Sequence, residues 1–219
     1  MTAAKLTAPI PLTYFFDPLC GWCYGASAAL EQIRARPDIA LVLAPTGLFA
    51  GEDARPLDDA FAAYAWANDQ RIARLTGVPF SDRYRTKVLG DRRALLDSAP
   101  ATLALTAVHL TRPDREFDAL KAMQRARYVD GRDNTDLPIL ANILADLGLH
   151  EAARRLTAPD EALVSAYHQR IATSRADMHA FNLEGVPALL VGEGSTRRRL
   201  KAEALFGLAE TLIADIRGI

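Results

Sequence analysis

The chain of 219 residues holds two cysteines, and they stand three positions apart as Cys20-Gly21-Trp22-Cys23. Before them, Leu12 to Phe16 is an apolar run short and aromatic enough for a buried strand, and it stops at Asp17-Pro18. After them, an alanine-rich segment from Cys20 to about Arg36 has helical spacing. The pair therefore falls where a strand turns into a helix. Free backbone N–H groups and the positive end of the helix dipole face Cys20 there, favouring negative charge on its sulfur and making it the nucleophile. Cys23, one turn deeper on the same face, is placed to attack a mixed disulfide formed at Cys20.

Other uses of two cysteines fit less well. A structural disulfide across four residues restrains the unfolded chain little, contributing at most about 2 kcal/mol in the chain-entropy model. A zinc site lacks further cysteines, and His109, His150, His168 and His179 are scattered. His168 and His179 share a face of one helix, but eleven residues is about 16 Å of rise, too far for ligands of one metal. Inert core cysteines would not need the strand–turn–helix setting.

Ile39 to Leu43 reads as a second buried strand, so the first 45 residues form a right-handed βαβ unit. From Pro45 the pattern changes. Between Leu57 and Asn182 strand-like alternation is almost missing, and helices are expected near 58–75, 100–110, 114–128, 136–147 and 160–181, with shorter turns near 82–89 and 149–156. Asp114, Asp136, Thr157 and Asp160 stand where side-chain caps are needed. The acidic run Asp130 to Asp136 has turn and cap spacing and does not match a calcium-binding EF-hand loop. Strand character returns at Ala188 to Val191, after Leu183-Glu184-Gly185-Val186-Pro187; a hairpin at Gly192 to Ser195 leads to Thr196–Leu200, and a last helix spans about 202–216. The Arg197–Arg199 run reads as charge protecting an edge strand, in preference to an anion patch.

Net charge is −1, which argues against nucleic acid or an acidic membrane surface as partner. Met1 to Pro9 contains no apolar h-region, and no window reaches the length of a membrane span, so a cytoplasmic protein is expected, or a periplasmic one if a signal peptide has been removed. No separate dimerisation segment stands out, and a monomer is expected.

The order of strand, CxxC helix, strand, helical insertion, Gly-Val-Pro, hairpin and final helix resembles the DsbA-like branch of the thioredoxin superfamily over nearly the whole chain. Cys20-Gly21-Trp22-Cys23-Tyr24-Gly25, Thr46-Gly47-Leu48, Thr76-Gly77-Val78-Pro79-Phe80 and Asp130-Gly131-Arg132-Asp133 are similar to the predicted protein-disulfide isomerase group, often described as FrnE-like. The resemblance implies an α/β thioredoxin-like fold built from residues 1–56 and 183–219, with a large all-helical insertion at 57–182. It also implies that the Val186-Pro187 bond is cis and faces the nucleophile, so that Val186 and Pro187 align a substrate strand.

The function expected is thiol–disulfide exchange on protein thiols: Cys20 attacks, Cys23 resolves, and Trp22 either offers a flat apolar surface to substrate or packs against the helical block. No metal or organic cofactor is expected, with glutathione or a thioredoxin system as recycling partner. Gly21-Trp22 lacks the histidine of the strongly oxidising DsbA, and Asp17 and Glu184 would oppose a thiolate if close, so a reduction potential between roughly −120 and −270 mV is expected. Phe15, Phe16, Phe61, Tyr64 and Trp66 are expected to pack the core or the domain boundary. Two alternatives remain open on the same fold. One is a kappa-type glutathione transferase or isomerase of small molecules, which typically carries a serine near the first cysteine position. The other is a non-catalytic redox-sensing module.

Overall fold

The computed structural model describes residues 8–219, so Met1–Thr7, most of the segment examined for an h-region, lies outside the described residues. Strand β1 (Ile10–Phe16) lies between β2 (Ile39–Pro45), which runs parallel to it, and β5 (Ala188–Val191), which runs antiparallel; β6 (Arg198–Leu200) closes the order β2-β1-β5-β6. Ile10 pairs with Ile39 and Phe15 with Ala188, so residues far apart in sequence meet across β1.

β1 is apolar on both faces because both are covered. Leu12, Tyr14 and Phe16 join a core that runs through Leu30 and Ile33 to Leu212 and Ile216. Phe15 points the other way, into a cluster with Ala188, Leu190, Met178 and Phe181. A strand buried on both sides reads as a continuous hydrophobic run rather than an alternating one, as Leu12–Phe16 does.

The helix expected from Cys20 to Arg36 is two: α1 (Gly21–Gly25) and α2 (Ser27–Arg34), interrupted at Ala26 just after a glycine that weakens helical continuity. The central helices follow the expectation closely. They are α3 (Asp59–Thr76), α4 (Asp82–Lys87), α5 (Ala99–Thr111), α6 (Glu116–Tyr128), α7 (Leu137–Asp146), α8 (His150–Thr157) and α9 (Glu161–Ala180). Asp58, Ser81, Asp136 and Asp160 accept hydrogen bonds from the first-turn N–H groups of α3, α4, α7 and α9. Asp114 does not cap: it pairs with Arg112 in a 3-10 turn ahead of α6. Thr157 is the last residue of α8, with its hydroxyl donating back to Arg154. In the acidic run, Asp133 accepts from the Thr135 N–H and hydroxyl, and Asp136 caps α7.

Two features depart from the sequence pattern. A two-residue ladder joins β3 (Arg55–Pro56), just ahead of the region read as helical, to β4 (Leu95–Leu96) inside it, and is too short to leave a periodicity. The last helix is split into a 3-10 turn at Ala202–Phe206 and α10 (Ala209–Arg217), because Gly207 between them is extended (φ −100°, ψ −155°). The arginines of the edge strand are tied down rather than simply solvated. Arg197 forms a bidentate pair with Asp177 of α9 (2.8 and 2.7 Å), Arg198 donates to the Asp215 carbonyl, and Arg199 to that of Asn182. No described helix is long and apolar enough to cross a membrane.

Candidate active site

The turn after β1 sets the position of Cys20. The Asp17 carbonyl accepts the Cys20 N–H at 3.1 Å with Pro18 at the second position, which is a β-turn with the residue best suited to fix it. The Asp17 side chain is wholly buried and accepts from the Leu19 N–H (2.9 Å), the Phe49 N–H (3.3 Å) and the Ser98 hydroxyl (2.6 Å). Burial raises the Asp17 carboxyl, against the lowering effect of those hydrogen bonds. Asp17 thus ties the end of β1 to the loop after β2 and to the start of α5.

Cys20 is the N-cap residue of α1, and its carbonyl accepts the Tyr24 N–H at 3.0 Å. Both cysteines are free thiols, Cys20 at 8% exposure and Cys23 at 1%. Burial pushes the Cys23 thiol well up, reinforced by its hydrogen bond to Cys20 and by the proximity of the Cys20 sulfur and the Asp17 carboxyl. The two sulfurs therefore differ in kind: one reaches a cavity, and the other is enclosed and held protonated. The Tyr14 hydroxyl donates to the Cys23 carbonyl at 3.2 Å from beneath the helix.

The Cys20 thiol donates to the carbonyl oxygen of Val186 at 3.7 Å, and the Val186-Pro187 peptide bond is cis. The two residues part in what they face. Val186 lines the Cys20 cavity, whereas the Pro187 ring lines a separate hollow with Asn182 and Glu184. Glu184 is exposed and faces that second hollow, so of the two acids expected near the cysteines only Asp17 bears on them.

The cavity beside Cys20 has a volume of about 310 Å³. Trp22 contributes to its wall while half-buried: its ring meets Phe206 edge-on at 5.1 Å, and the Arg71 guanidinium lies 5.6 Å from its centre. It is at once packed against its neighbours and present at the cavity. Phe15, Phe16, Phe61 and Trp66 pack as expected, Phe61 also lining the cavity, whereas Tyr64 lines the cavity and is 68% exposed. The spacing of Phe61 and Tyr64 on α3 turns them toward the site, a direction invisible without knowing which face of that helix meets α1.

The cavity has a polar roof that sequence reasoning missed. Asp69 of α3 is 4% exposed and accepts a hydrogen bond from the Tyr84 hydroxyl at 3.0 Å. Arg127 of α6 is 1% exposed, with its guanidinium 5.7 Å from the Tyr84 ring centre and 6.0 Å from that of Tyr128. It donates to Asn134 Oδ1 at 3.2 Å and lies 3.5 Å from Asp133, within the Asp130–Asp133 segment. The Tyr128 hydroxyl donates to the Leu19 carbonyl at 2.7 Å, beside Cys20. Tyr24 stacks on Tyr128, Phe80 and Tyr84 meet Tyr128 edge-on, and the Tyr24 hydroxyl donates to the Pro79 carbonyl. The three motifs Cys20–Gly25, Thr76–Phe80 and Asp130–Asp133 thus converge on one aromatic cluster, and Leu48 of the fourth reaches the cavity wall.

Gly21 and Gly25 let α1 approach α3. A Cβ on Gly21 would collide with Asp69 Oδ1, and one on Gly25 would stand 2.6 Å from Ile72 Cγ2. The arrangement can carry thiol–disulfide exchange: a sulfur reaching a cavity, a buried partner thiol one turn away, and the Val186 backbone carbonyl in contact with the first sulfur.

Comparison with known proteins agrees with this geometry. The model of the DSBA-like thioredoxin domain matches residues 12–212. The chain superposes on the cytosolic disulfide reductase DsbM from Pseudomonas aeruginosa with a TM-score of 0.84 and 30% identity, over 95% of this chain and 100% of that one. The same reductase solved with GSH gives 0.82 and 30%, over 95% and 98%. Oxidoreductase DsbA from Xylella fastidiosa shares the fold at a TM-score of 0.55 and 16% identity, over 99% and 90%. No curated protein sequence matches the chain.

Proposed function

The chain belongs to the DsbA-like thioredoxin-domain family of thiol–disulfide oxidoreductases, and from that premise we propose that it works as a cytosolic disulfide reductase recharged by glutathione. The observation carrying the proposal is the inequality of the two thiols at the cavity: Cys20 lines it and touches the Val186 carbonyl, while Cys23 is enclosed and its thiol is pushed up by burial. Cys20 attacks a substrate disulfide, Cys23 resolves the mixed disulfide, and the backbone at Val186 and Pro187 aligns the substrate segment. Trp22 supplies an apolar wall. No metal or organic cofactor enters this scheme.

The reducing direction and the cytosol rest on the likeness to DsbM, a cytosolic disulfide reductase by name, and glutathione on its structure with GSH. A cavity of about 310 Å³ suits a small thiol better than a folded protein surface, which supports glutathione as the recharging thiol. A division into a thioredoxin-like unit (1–56 and 183–219) and a helical unit (57–182) belongs to the same reading: the first carries the sheet and cysteines, the second the roof of Asp69, Tyr84, Arg127 and Tyr128.

The test is equilibration of the protein in glutathione redox buffers, with free thiols counted by alkylation, followed by insulin reduction with glutathione as sole reductant. A reversible two-electron transition nearer −270 than −120 mV, with catalytic insulin reduction, is expected. A transition near −120 mV would make it an oxidant, and no transition would remove the cysteine pair from the mechanism.

A further inference from the structure

Within the cavity one carboxyl is unused by the scheme above. Asp69 Oδ2 accepts from Tyr84, whereas Oδ1 accepts no hydrogen bond among the described residues and stands against Gly21, the residue following Cys20. Asp69 and Cys20 line the same cavity, so a disulfide positioned for attack by Cys20 brings its departing sulfur into the space that Asp69 faces. The ionisable groups sharing that space are Arg55 and Tyr64 on the entry side, Tyr84 from α4, Arg127 and Tyr128 from α6, and Cys20 itself. Burial raises the Asp69 carboxyl to about 7, opposed by the Tyr84 hydrogen bond and the Arg127 charge, so both of its protonation states are populated at neutral pH.

We infer that Asp69 is the proton donor to the thiolate that leaves when Cys20 attacks a substrate disulfide, and, in the reverse direction, the acceptor of the proton from a thiol that enters to attack the mixed disulfide. In the forward step the Cys20 thiolate attacks the near sulfur of R–S–S–R′. The Cys20–S bond to R forms, and the S–S bond breaks with its electron pair on R′S⁻. Asp69 then passes its proton to that sulfur, leaving R′SH and the Asp69 carboxylate. Cys20 is oxidised to the mixed disulfide as R′ is reduced to the thiol. An alkyl thiol has a reference value near 8.5, so near pH 6 to 7 its thiolate leaves far more readily with a proton at hand. The inference rests on the reading that substrate disulfides enter this cavity.

The test compares two disulfides in single-turnover reactions of the reduced protein: oxidised glutathione, whose leaving thiolate needs a proton, and an aromatic disulfide such as 5,5′-dithiobis(2-nitrobenzoic acid), whose leaving thiolate does not. In Asp69→Asn the ratio of glutathione-disulfide rate to aromatic-disulfide rate is expected to fall about tenfold at pH 6, with the gap closing above pH 8. Tyr84→Phe, which removes the hydrogen bond that favours the carboxylate, is expected to move the inflection of the glutathione-disulfide profile to higher pH, and this reads the relay even if Asp69→Asn folds poorly. An unchanged ratio, or an unmoved inflection in Tyr84→Phe, overturns the inference. Failure of the wild type to react with either disulfide would instead overturn the reductase reading, so the two failures are distinct.

Discussion

The Cys20 sulfur stands 3.7 Å from the carbonyl oxygen of Val186, a residue 166 positions away in the chain. That contact is made beyond the β1–β5 ladder, whose register pairs Phe15 with Ala188 and so carries the ends of two distant segments to the same end of the sheet. A substrate backbone paired at Val186 would have its cysteine delivered to Cys20 and held away from Cys23, which lies one helical turn deeper.

The asymmetry of the pair gives the first prediction. With Cys23 replaced, a mixed disulfide at Cys20 has no internal thiol to resolve it. Cys23→Ser incubated with oxidised glutathione should therefore accumulate protein carrying one glutathionyl group, detected by intact mass. Cys20→Ser should remain unmodified, because Cys23 is 1% exposed and held protonated, and its insulin reduction should fall by more than about 10³-fold. Equal labelling of the two variants would reverse the assigned roles.

Gly21 supplies the second. A Cβ there would meet Asp69 Oδ1 and lie 3.4 Å from Ile72 Cδ1, so Gly21→Ala forces α1 and α3 apart. The expected cost is about 1 to 3 kcal/mol, net of the roughly 1 kcal/mol that alanine gains over glycine in a helix. Shortening the opposing side chain in Gly21→Ala/Asp69→Ala should recover part of it, giving a coupling of about 1 kcal/mol between the two sites in urea unfolding. Strictly additive losses would mean that the glycine serves something other than this contact.

Such contacts explain what could and could not be read from the chain. The meeting of Cys20 with Val186 was legible because each sits in a local pattern: a strand running into a helix, or Gly-Val-Pro running into a strand. Most central helices were legible because turn residues and capping aspartates bound them, as at Asp136 and Asp160. Asp69 and Arg127 were not. Asn68-Asp69-Gln70 and Arg125-Ala126-Arg127 have the composition of solvated helical faces, and only the meeting of α3, α4 and α6 over α1 buries them. The split at Gly207 escaped for the opposite reason, since one glycine among Ala, Glu and Leu does not by itself stop a helix. Tyr64, expected to pack because no nucleotide-binding motif accompanies the aromatic residues, is instead turned by its place on α3 to the cavity.

Asp69 also bears on stability, with a definite sign. Its carboxyl titrates near 7 in the folded protein, against a reference of 3.8. Between those values the native state holds a proton that the unfolded chain has already released. Stability contributed at this site is therefore fully present below about pH 4, declines as pH rises, and is lost once pH passes 7. At about 1.4 kcal/mol per unit, burying the carboxylate at pH 8 costs roughly 4 kcal/mol at most. Asp69→Asn keeps an acceptor for the Tyr84 hydroxyl and carries no charge at any pH, although Arg127 loses an anionic neighbour and the gain is reduced accordingly. The variant should be more stable than the wild type by about 1 to 3 kcal/mol at pH 8, with the advantage shrinking by pH 5, in urea unfolding of the reduced proteins. A difference that does not change between the two pH values would place the Asp69 carboxyl outside this range and would leave Tyr84 and Arg127 as purely structural partners.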